Sequence, residues 1–291
     1  MCHESGAHRV PTTGSTRQNG LVRRPSLIAS DVDGTLLDPA ERVSERTART
    51  ARGVHDSGTP FVLVTGRPPR WVPRIVAGLG VAGTVVCSNG AVLYDAAADR
   101  VLHSTAIDPT TLREVTGELR DALPGCSFGV ERSTSGAHDR LDQQFIAESA
   151  FHRCWPNPDL RIAARDELVG VPVVKLLVMH ERMTSAEMAP VAEELIGGRL
   201  GVTYSTGAGL LELSAPGVNK AAGLARVAEQ LAVDPRDVIA FGDMPNDIPM
   251  LEWVGHGVAV GNAHPDVRQV ADEVTTSNTH DGVATVLERW W

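Results

Sequence analysis

The chain has 291 residues, which suits one large or two medium domains, and its 42% apolar and 22% charged residues are ordinary for a soluble globular protein. Its formal net charge of −9, without a Lys/Arg-rich block in the body of the chain, argues against nucleic acid or an anionic membrane as the main partner. A small anionic substrate is compatible with this charge, because a bound divalent cation reverses the local sign.

The cysteines and the apolar runs indicate the compartment. The cysteines are too scattered for a disulfide framework or a Cys-x-x-Cys metal site, and no apolar run reaches the length of a membrane span. Residues 1–24 lack the apolar segment of a signal peptide, so we expect a flexible extension there. We therefore expect a cytoplasmic protein with reduced thiols and no membrane partner. The cysteines are Cys2, Cys87, Cys126 and Cys154.

A short apolar run at 26–30 predicts a buried strand, and it ends in two acids, Asp31 and Asp33. Residues i and i+2 of a strand point the same way, so these acids crowd one spot unless the chain turns. Gly34 permits a turn, because glycine accepts backbone angles that other residues avoid. Two acids held close need a cation, a shared proton or a hydrogen-bond network. Taken alone, an acidic turn without chemistry explains this stretch equally well.

Helices and strands alternate after this turn. Ser44 begins a helix as its cap, and the Asn89-Gly90 pair is a strong signal for a tight turn. The alternation predicts an α/β fold with a doubly wound, mostly parallel sheet. The predicted elements are a helix at 44–57, a strand at 60–64, a helix at 68–79, and strands at 84–87 and 91–94.

The pattern changes near residue 106, and we interpret 106–208 as an inserted α+β domain. The core domain then comprises 25–105 and 209–291, and a strand at 210–213 resumes its alternation. Within the insert we predict helices at 109–123, 159–168 and 185–196, strands at 126–131, 171–179 and 200–204, a polar loop at 133–142 and an irregular segment at 151–158. After it we predict helices from 220, 246, 264 and 282, and strands at 238–241 and 257–260.

Polar clusters fall at four strand ends or helix starts of the predicted core, where ligands of open parallel sheets bind. Magnesium prefers hard oxygen ligands. A phosphate group favours a hydroxyl, free backbone N–H groups and a positive charge. The clusters together predict a Mg²⁺-assisted phosphate site, although each alone also fits an ordinary strand end, helix start or turn. They are Asp31 with Asp33, Thr65 with Gly66, Lys220, and Asp243 with Asn246 and Asp247.

In this order the clusters resemble the four motifs of the haloacid dehalogenase-like phosphohydrolases. The resemblance rests on DVDGT at 31–35, on Thr65, on Lys220 and on GDMPND at 242–247, and it extends from about residue 25 to the end. The insert lies between the second and third motifs. Its size and flanks are similar to the Cof-type subfamily, which carries a type II cap domain.

The resemblance implies a Mg²⁺-dependent phosphatase that acts on a small phosphorylated metabolite through an aspartyl phosphate. It implies that Asp31 is the nucleophile, that Asp33 is the general acid and base, and that Lys220 neutralises charge at the reacting centre. The metal residues that it implies are Asp31, Asp33 through its backbone carbonyl, Asp243, and Asp247 through a metal-bound water. The implied phosphate or substrate residues are Thr65, Gly66, Asn89 and Asn246.

Two other functions stay open. A phosphosugar mutase of the phosphomannomutase type has a similar core and cap, but it needs converging basic residues in the insert. A non-catalytic phosphometabolite sensor is the second alternative, and the intact set of charged residues argues against it. The sequence leaves open the substrate among sugar phosphates, nucleotides and cofactor phosphates, and also whether the protein is a monomer or a homodimer. The basic candidates in the insert are Arg132, Arg140, Arg153 and Arg161.

Some residues have no settled position from the sequence. Lys175 interrupts an apolar strand and faces either water or the cleft beneath the insert, and we favour water. Arg67 fits a place near the substrate or on the surface. His264 is expected to cap a helix, and Trp290-Trp291 to form a packing tail or a partner contact.

Overall fold

The computed structural model describes residues 23–291, so the predicted N-terminal extension lies almost entirely outside the described residues. The described chain forms one eight-stranded and one six-stranded sheet. Within it, every helix falls short of the length and apolarity that a bilayer crossing requires. Cys87, Cys126 and Cys154 are free thiols, as expected, and Cys2 is outside the described range.

The first part of the chain alternates strands with helices and ends in an antiparallel hairpin. Ser44 caps α1, as predicted, because its hydroxyl accepts the backbone N–H of Thr47 at 3.0 Å. The elements are β1 (Leu27–Ser30), α1 (Glu45–Asp56), β2 (Phe61–Val64), α2 (Val72–Leu79), β3 (Thr84–Cys87), β4 (Val92–Asp95) and β5 (Arg100–Ser104).

The middle part holds the second sheet and the helices that cover it. Its elements are α3 (Pro109–Ala122), β6 (Ser127–Glu131), α4 (Leu141–Gln144), β7 (Phe145–Ala147), α5 (Ser149–Cys154), β8 (Arg161–Ile162), α6 (Arg165–Leu168), β9 (Lys175–Met179), α7 (Ser185–Ile196), β10 (Gly201–Thr203) and β11 (Leu210–Ser214). The last part returns to the first sheet with α8 (Lys220–Gln230), β12 (Val238–Gly242), α9 (Ile248–Trp253), β13 (His256–Ala259), α10 (Pro265–Val270), β14 (Glu273–Val274) and α11 (Gly282–Leu287).

The eight-stranded sheet has the order β14-β13-β12-β1-β2-β3-β4-β5. All pairs from β14 to β3 are parallel, whereas β4 and β5 are antiparallel. The central strand β1 is buried along its whole length, because apolar clusters lie on both faces of the sheet. This confirms the predicted α/β fold with a doubly wound, mostly parallel sheet.

The six-stranded sheet has the order β10-β11-β9-β6-β7-β8, and all its pairs are antiparallel except β7 with β8. One face packs on α3 and α7 through an apolar cluster that includes Leu176 and Val178 of β9. Lys175, Leu177 and Met179 alternate with them and point to the opposite face, which looks onto a cleft beside the first sheet.

The structure corrects several expected elements. The strand at 210–213 is present, but β11 pairs with β9 and β10, so the expectation that it belongs to the core, from residue 209 onward, is wrong. A short apolar run does not encode its pairing partner, which tertiary packing decides. The segment expected to be irregular contains most of α5, the expected helix at 159–168 is β8 followed by α6, and the expected loop ends in α4.

Two end-of-chain expectations agree with the structure. His264 precedes α10, and its ring accepts the backbone N–H of Asp266 at 3.3 Å, as expected of a cap. Trp290 and Trp291 pack against the apolar cluster on one face of the eight-stranded sheet. The Trp290-Trp291 pair is therefore a packing tail.

Candidate active site

Asp31 lies directly after the central strand β1, at the carboxyl end of the eight-stranded sheet. Its backbone N–H donates to the carbonyl of Phe241 at 2.9 Å, so Asp31 is held beside β12. Gly34 then turns the chain with a φ of 75°, and a Cβ there would collide with the carboxylate of Asp243. The turn therefore buries Asp31, whereas the side chain of Asp33 stays 50% exposed.

Three acids meet at this sheet edge. Asp31, Asp243 and Asp247 each offer a buried carboxylate oxygen, and the three oxygens lie within 4.8 Å of one another. Lys220, the first residue of α8, donates from Nζ to Asp31 Oδ1 at 2.5 Å and to Asp247 Oδ1 at 2.6 Å. Three ionised carboxylates against one ammonium group leave two negative charges in a buried volume.

The pKa values of these groups are shifted by burial and by the excess of negative charge. Burial, followed by the charge of Asp247, raises the pKa of Asp31 well above its ordinary value, although Lys220 opposes the shift. The same two causes raise the pKa of Asp243 to about 7. Burial alone would lower the pKa of Lys220, but the charges of Asp247 and Asp31 outweigh it and raise the pKa. The site therefore favours a bound cation or bound protons.

The donor set fits a magnesium ion. Asp31 Oδ2 is buried and has no hydrogen-bond partner among the described residues. Asp243 Oδ1 accepts the hydroxyl of Thr35 at 3.2 Å. Oxygens of carboxylates are the ligands that Mg²⁺ prefers, and an unpaired buried carboxylate oxygen is costly unless a ligand or cation satisfies it.

The second predicted cluster forms a tight loop after β2. The hydroxyl of Thr65 accepts the backbone N–H of Arg67 at 3.0 Å, and the carbonyl of Thr65 accepts the N–H of Asn89 at 3.0 Å. Among the described residues, no acceptor binds the N–H of Gly66. Gly66 lines the cleft, whereas Thr65 is fully buried behind it.

Arg67 contacts Asp33, which decides between the two positions that the sequence left open. Its guanidinium donates to Asp33 at 2.9 Å from Nε and at 2.5 Å from Nη2, and it also lies 3.2 Å from Glu41. Both Arg67 and Asp33 line the cleft. The arginine thus holds Asp33 at the cleft wall.

Lys175 does not face water, so that expectation is wrong. Its side chain is 4% exposed, and Nζ donates to the carbonyl of Gly66 at 2.6 Å and to Glu212 in an ion pair. Glu212 was not singled out from the sequence. The available signal was two opposite charges, each interrupting a buried apolar strand, because a charge buried in a strand requires a partner.

Asn89 connects Glu212 to the fourth predicted cluster. Its Nδ2 donates to Glu212 Oε2 at 3.0 Å, and its Oδ1 accepts from Asn246 Nδ2 at 3.1 Å. Asn89 has a φ of 55°, in agreement with the predicted turn. Asn246 is the residue before Asp247, so one chain of polar contacts runs from the second sheet to the turn that carries Asp247.

These residues surround a cleft of about 1620 Å³ between the two sheets. Some of the predicted site residues open onto it, and the others stand behind them. Those on the wall are Asp31, Asp33, Gly66, Asp243 and Asn246. Those behind the wall are Thr65, Asn89, Lys220 and Asp247, all buried.

Comparison with known proteins decides the family. The model of the haloacid dehalogenase-like hydrolases matches residues 28–287. The chain belongs to the haloacid dehalogenase-like hydrolases. This confirms the resemblance that the four motifs carried.

Several relatives of this hydrolase are named phosphatases, which confirms the expected class of enzyme. It is 29% identical over 283 residues to the 5-amino-6-(5-phospho-D-ribitylamino)uracil phosphatase YitU of Bacillus subtilis, covering 93% of this chain and 99% of that one. It is 29% identical over 267 residues to the phosphoglycolate phosphatase of Methanothermobacter thermautotrophicus, with coverages of 90% and 97%. Among solved structures it is similar to the phosphatase BT1666 of Bacteroides thetaiotaomicron, with 25% identity, a TM-score of 0.76, and coverages of 94% and 98%.

Proposed function

We propose that this hydrolase is a Mg²⁺-dependent phosphatase of small phosphorylated metabolites and that it works through an aspartyl phosphate on Asp31. The proposal rests on one observation, which is how the two carboxylate oxygens of Asp31 are bonded. Lys220 binds Asp31 Oδ1, and the buried Oδ2 has no partner among the described residues although Asp31 lines the cleft. A carboxylate that is fixed by one oxygen, has the other unpaired and belongs to a residue of the cleft wall is suited to attack on phosphorus.

Asp31 attacks the phosphoryl group in the first step. A bond forms between its free oxygen and phosphorus, the ester P–O bond breaks, and Asp33 gives a proton to the leaving oxygen. In the second step water attacks the phosphorus of the aspartyl phosphate while Asp33 takes its proton. Phosphate leaves, and the Asp31 carboxylate is restored. Lys220 favours the ionised form of Asp31 and offsets charge that the transferring group brings.

Asp31, Asp243 and the backbone carbonyl of Asp33 would hold Mg²⁺, with Asp247 reaching it through a water. When bound, Mg²⁺ supplies positive charge that offsets the acids and the phosphoryl oxygens. Asp247 is fixed for this task, because its Oδ2 accepts the backbone N–H groups of Asp243 and Met244 at 3.0 Å each.

The loop after β2 would bind a phosphoryl oxygen. The N–H of Gly66 has no acceptor among the described residues and lies at the cleft wall. Because the Thr65 hydroxyl accepts from Arg67, its own proton remains available to donate to the phosphoryl group. Asn89 and Asn246 hold each other beside this loop and would border the substrate.

The second sheet with its helices would act as a cap that covers the leaving group and excludes water during the reaction. The curated relatives named above act, by their names, on an aminouracil ribityl phosphate and on phosphoglycolate. These two substrates share a phosphomonoester and little else. We therefore infer the substrate class, a small phosphorylated metabolite, and no individual compound.

The mutase alternative lacks support from the arginines that it requires. Arg132 donates to the carbonyl of Glu167 at 2.7 Å, and Arg161 forms an ion pair with the carboxylate of Glu167. Arg140 lies 3.9 Å from Asp139. Of the four candidates, Arg153 is the one that lines the cleft. One arginine does not form the converging second phosphate site of a mutase.

A panel of phosphate esters tests the function. Purified protein is incubated with p-nitrophenyl phosphate, sugar phosphates, nucleotides and cofactor phosphates, with Mg²⁺ or with EDTA, and released phosphate is measured. We expect release with Mg²⁺ alone and without any bisphosphate activator. A requirement for such an activator would favour the mutase. Binding of an ester without release from any member would favour the sensor and reject the phosphatase.

A further inference from the structure

A buried ion pair in the second sheet reaches across the cleft edge to the phosphate loop. Lys175 begins β9 and Glu212 lies in β11, the neighbouring strand, where Glu212 is in register with Leu177. Residues 175 and 177 share one face of the sheet, so the two charged side chains are diagonal neighbours on the face toward the cleft. Their side chains are 4% and 5% exposed.

Every polar atom of the pair has a partner. Glu212 Oε1 accepts the hydroxyl of Ser205, Oε2 accepts Asn89 Nδ2 at 3.0 Å, and Lys175 Nζ binds both Oε2 and the carbonyl of Gly66. Burial alone would raise the pKa of Glu212, but Lys175 outweighs it and lowers the pKa, which favours the ionised form of Glu212. An ionic network in which each of these polar atoms has a partner favours one arrangement of the groups that it touches.

The groups that it touches belong to the phosphate loop. Lys175 holds the carbonyl of the Gly66–Arg67 peptide, and Thr65 Oγ1 holds the N–H of the same peptide. The loop packs against the network so closely that a Cβ on Gly66 would lie 3.2 Å from Asn89 Oδ1 and 3.5 Å from Glu212 Oε2. The plane of the Gly66–Arg67 peptide is thereby fixed. The Gly66 N–H belongs to the preceding Thr65–Gly66 peptide, whose carbonyl accepts the backbone N–H of Asn89 at 3.0 Å, so this second peptide is held by the residue that Glu212 orients.

The same pair is also connected to the fourth motif, at 242–247, through Asn89. Glu212 orients the amide of Asn89, and Asn89 Oδ1 accepts from Asn246 in the turn that carries Asp247. One pair in the second sheet therefore contacts the phosphate loop directly and the turn of the fourth motif through Asn89. Two apolar residues would fill this space without the cost of burying charge, so packing alone does not account for the pair.

We propose that Lys175 and Glu212 are positioning residues of the phosphatase reaction, which set the phosphate loop through Gly66 and the fourth motif through Asn89. The pair acts on the transferring phosphoryl group and not on the leaving group. Seating of the second sheet on the first is then a condition for a correctly formed phosphate site. This inference rests on the proposed function.

The test replaces both charges together, because a single replacement leaves an unpaired buried charge that can prevent folding. Lys175→Met/Glu212→Gln keeps the volume and leaves a neutral amide at residue 212. Arg70→Met/Glu131→Gln is the matched control. Arg70, in the segment between β2 and α2, and Glu131 of β6 also form a buried ion pair, at 2.5 Å with side chains 2% and 4% exposed.

Three readouts are taken on both double variants after circular dichroism has shown that they are folded. They are kcat and KM with two esters of different leaving groups, such as p-nitrophenyl phosphate and a sugar phosphate, and the affinity for orthophosphate in the presence of Mg²⁺ by calorimetry. We expect Lys175→Met/Glu212→Gln to lower kcat about 100-fold for both esters, since a displacement of about 1 Å in a reacting site has that effect. Orthophosphate binds more weakly, and the control keeps wild-type values.

Several results would overturn the inference. They are wild-type kcat and orthophosphate affinity in the folded variant, equal losses in the Arg70→Met/Glu131→Gln control, or losses that differ between the two leaving groups. If wild-type protein hydrolyses no ester, the proposed function fails. The orthophosphate titration, which needs no turnover, still decides the inference in that case.

Discussion

The ammonium group of Lys220 lies 2.5 Å from one carboxylate oxygen of Asp31, while the other oxygen of that carboxylate is buried and has no partner within residues 23–291. The lysine thus fixes the carboxylate by one oxygen and leaves the second for chemistry. Burial of an acid whose pKa is strongly raised costs folding free energy when the acid is ionised. The cost is understandable where the same oxygen must attack a substrate.

Asp31→Asn is expected to abolish hydrolysis, because an amide oxygen is too weak a nucleophile to displace the leaving group. The variant should remain folded, since it removes one of three mutually repelling acids. The measurement is phosphate release together with the melting temperature. In wild-type protein quenched with acid during turnover, mass spectrometry should find one phosphoryl group on the peptide that contains Asp31. Residual turnover near the wild-type rate in Asp31→Asn would rule out this nucleophile.

Lys220→Met should destabilise the Mg²⁺-free protein by roughly 3–5 kcal/mol, the usual effect of removing one partner of a buried charge pair. Three carboxylates then share the site without a resident cation. Urea unfolding near pH 8 measures the free energy of unfolding, and added Mg²⁺ should restore part of the loss. The control is Lys220→Met/Asp247→Asn, which removes one acid as well and should be less destabilised. Equal stability of Lys220→Met and wild type would contradict the charge balance described above.

The raised pKa of Asp243 predicts how stability changes with pH. The value is about 7 in the folded protein against 3.8 for an ordinary aspartate, so the folded state holds a proton that the unfolded state releases. This stabilising contribution is complete below the unfolded pKa and is lost as the pH rises through about 7. Metal-free wild type should therefore lose stability relative to Asp243→Asn between about pH 4 and pH 8.

Magnesium should reverse this loss, because metal binding requires the ionised carboxylate. The Mg²⁺-induced rise in melting temperature is expected to be larger at about pH 8 than at about pH 5.5 in wild type. In Asp243→Asn the rise should be small at both values. A Mg²⁺ effect that is independent of pH, or unchanged in the variant, would show that Asp243 is not a ligand.

Asp33→Asn should remove the general acid, and its effect should depend on the leaving group. With alkyl or sugar phosphates we expect a loss of kcat of about 10²–10⁴-fold. With p-nitrophenyl phosphate the first step needs little protonation, so the loss should be smaller. Glu41→Gln is the matched control, since Glu41 binds the same Arg67 and its side chain is 67% exposed. An equal loss for both substrates in Asp33→Asn would argue for a structural role.

The local parts of the site could be predicted from the sequence. The strand before Asp31, the cap at Ser44 and the turn at Asn89 depend on residues close together in the chain. The gathering of Asp31 and Asp243 was also predictable, because both follow parallel strands whose carboxyl ends meet at one sheet edge.

The second sheet could not be predicted to the same depth. β11 is a mostly apolar strand with Glu212 at its centre, and its place beside β9 follows from antiparallel pairing rather than from its composition. The two-residue strand β8 exists because it pairs with β7, and two residues carry no periodic pattern. The expectation that Lys175 faces water was wrong for a similar reason, because its partners Gly66 and Glu212 are far from it in the chain.

By itself, the sequence determined the order of the motifs, the family and the chemistry that the acids, the lysine and the hydroxyl offer. These properties depend on residue type and on local spacing, and both can be read directly from the sequence. Only the tertiary structure decided that Glu212 meets Lys175 and Asn89, that Arg67 holds Asp33, and that Asp31 keeps one oxygen free. Such contacts join residues far apart in the chain, and their geometry is set by how two sheets pack against each other.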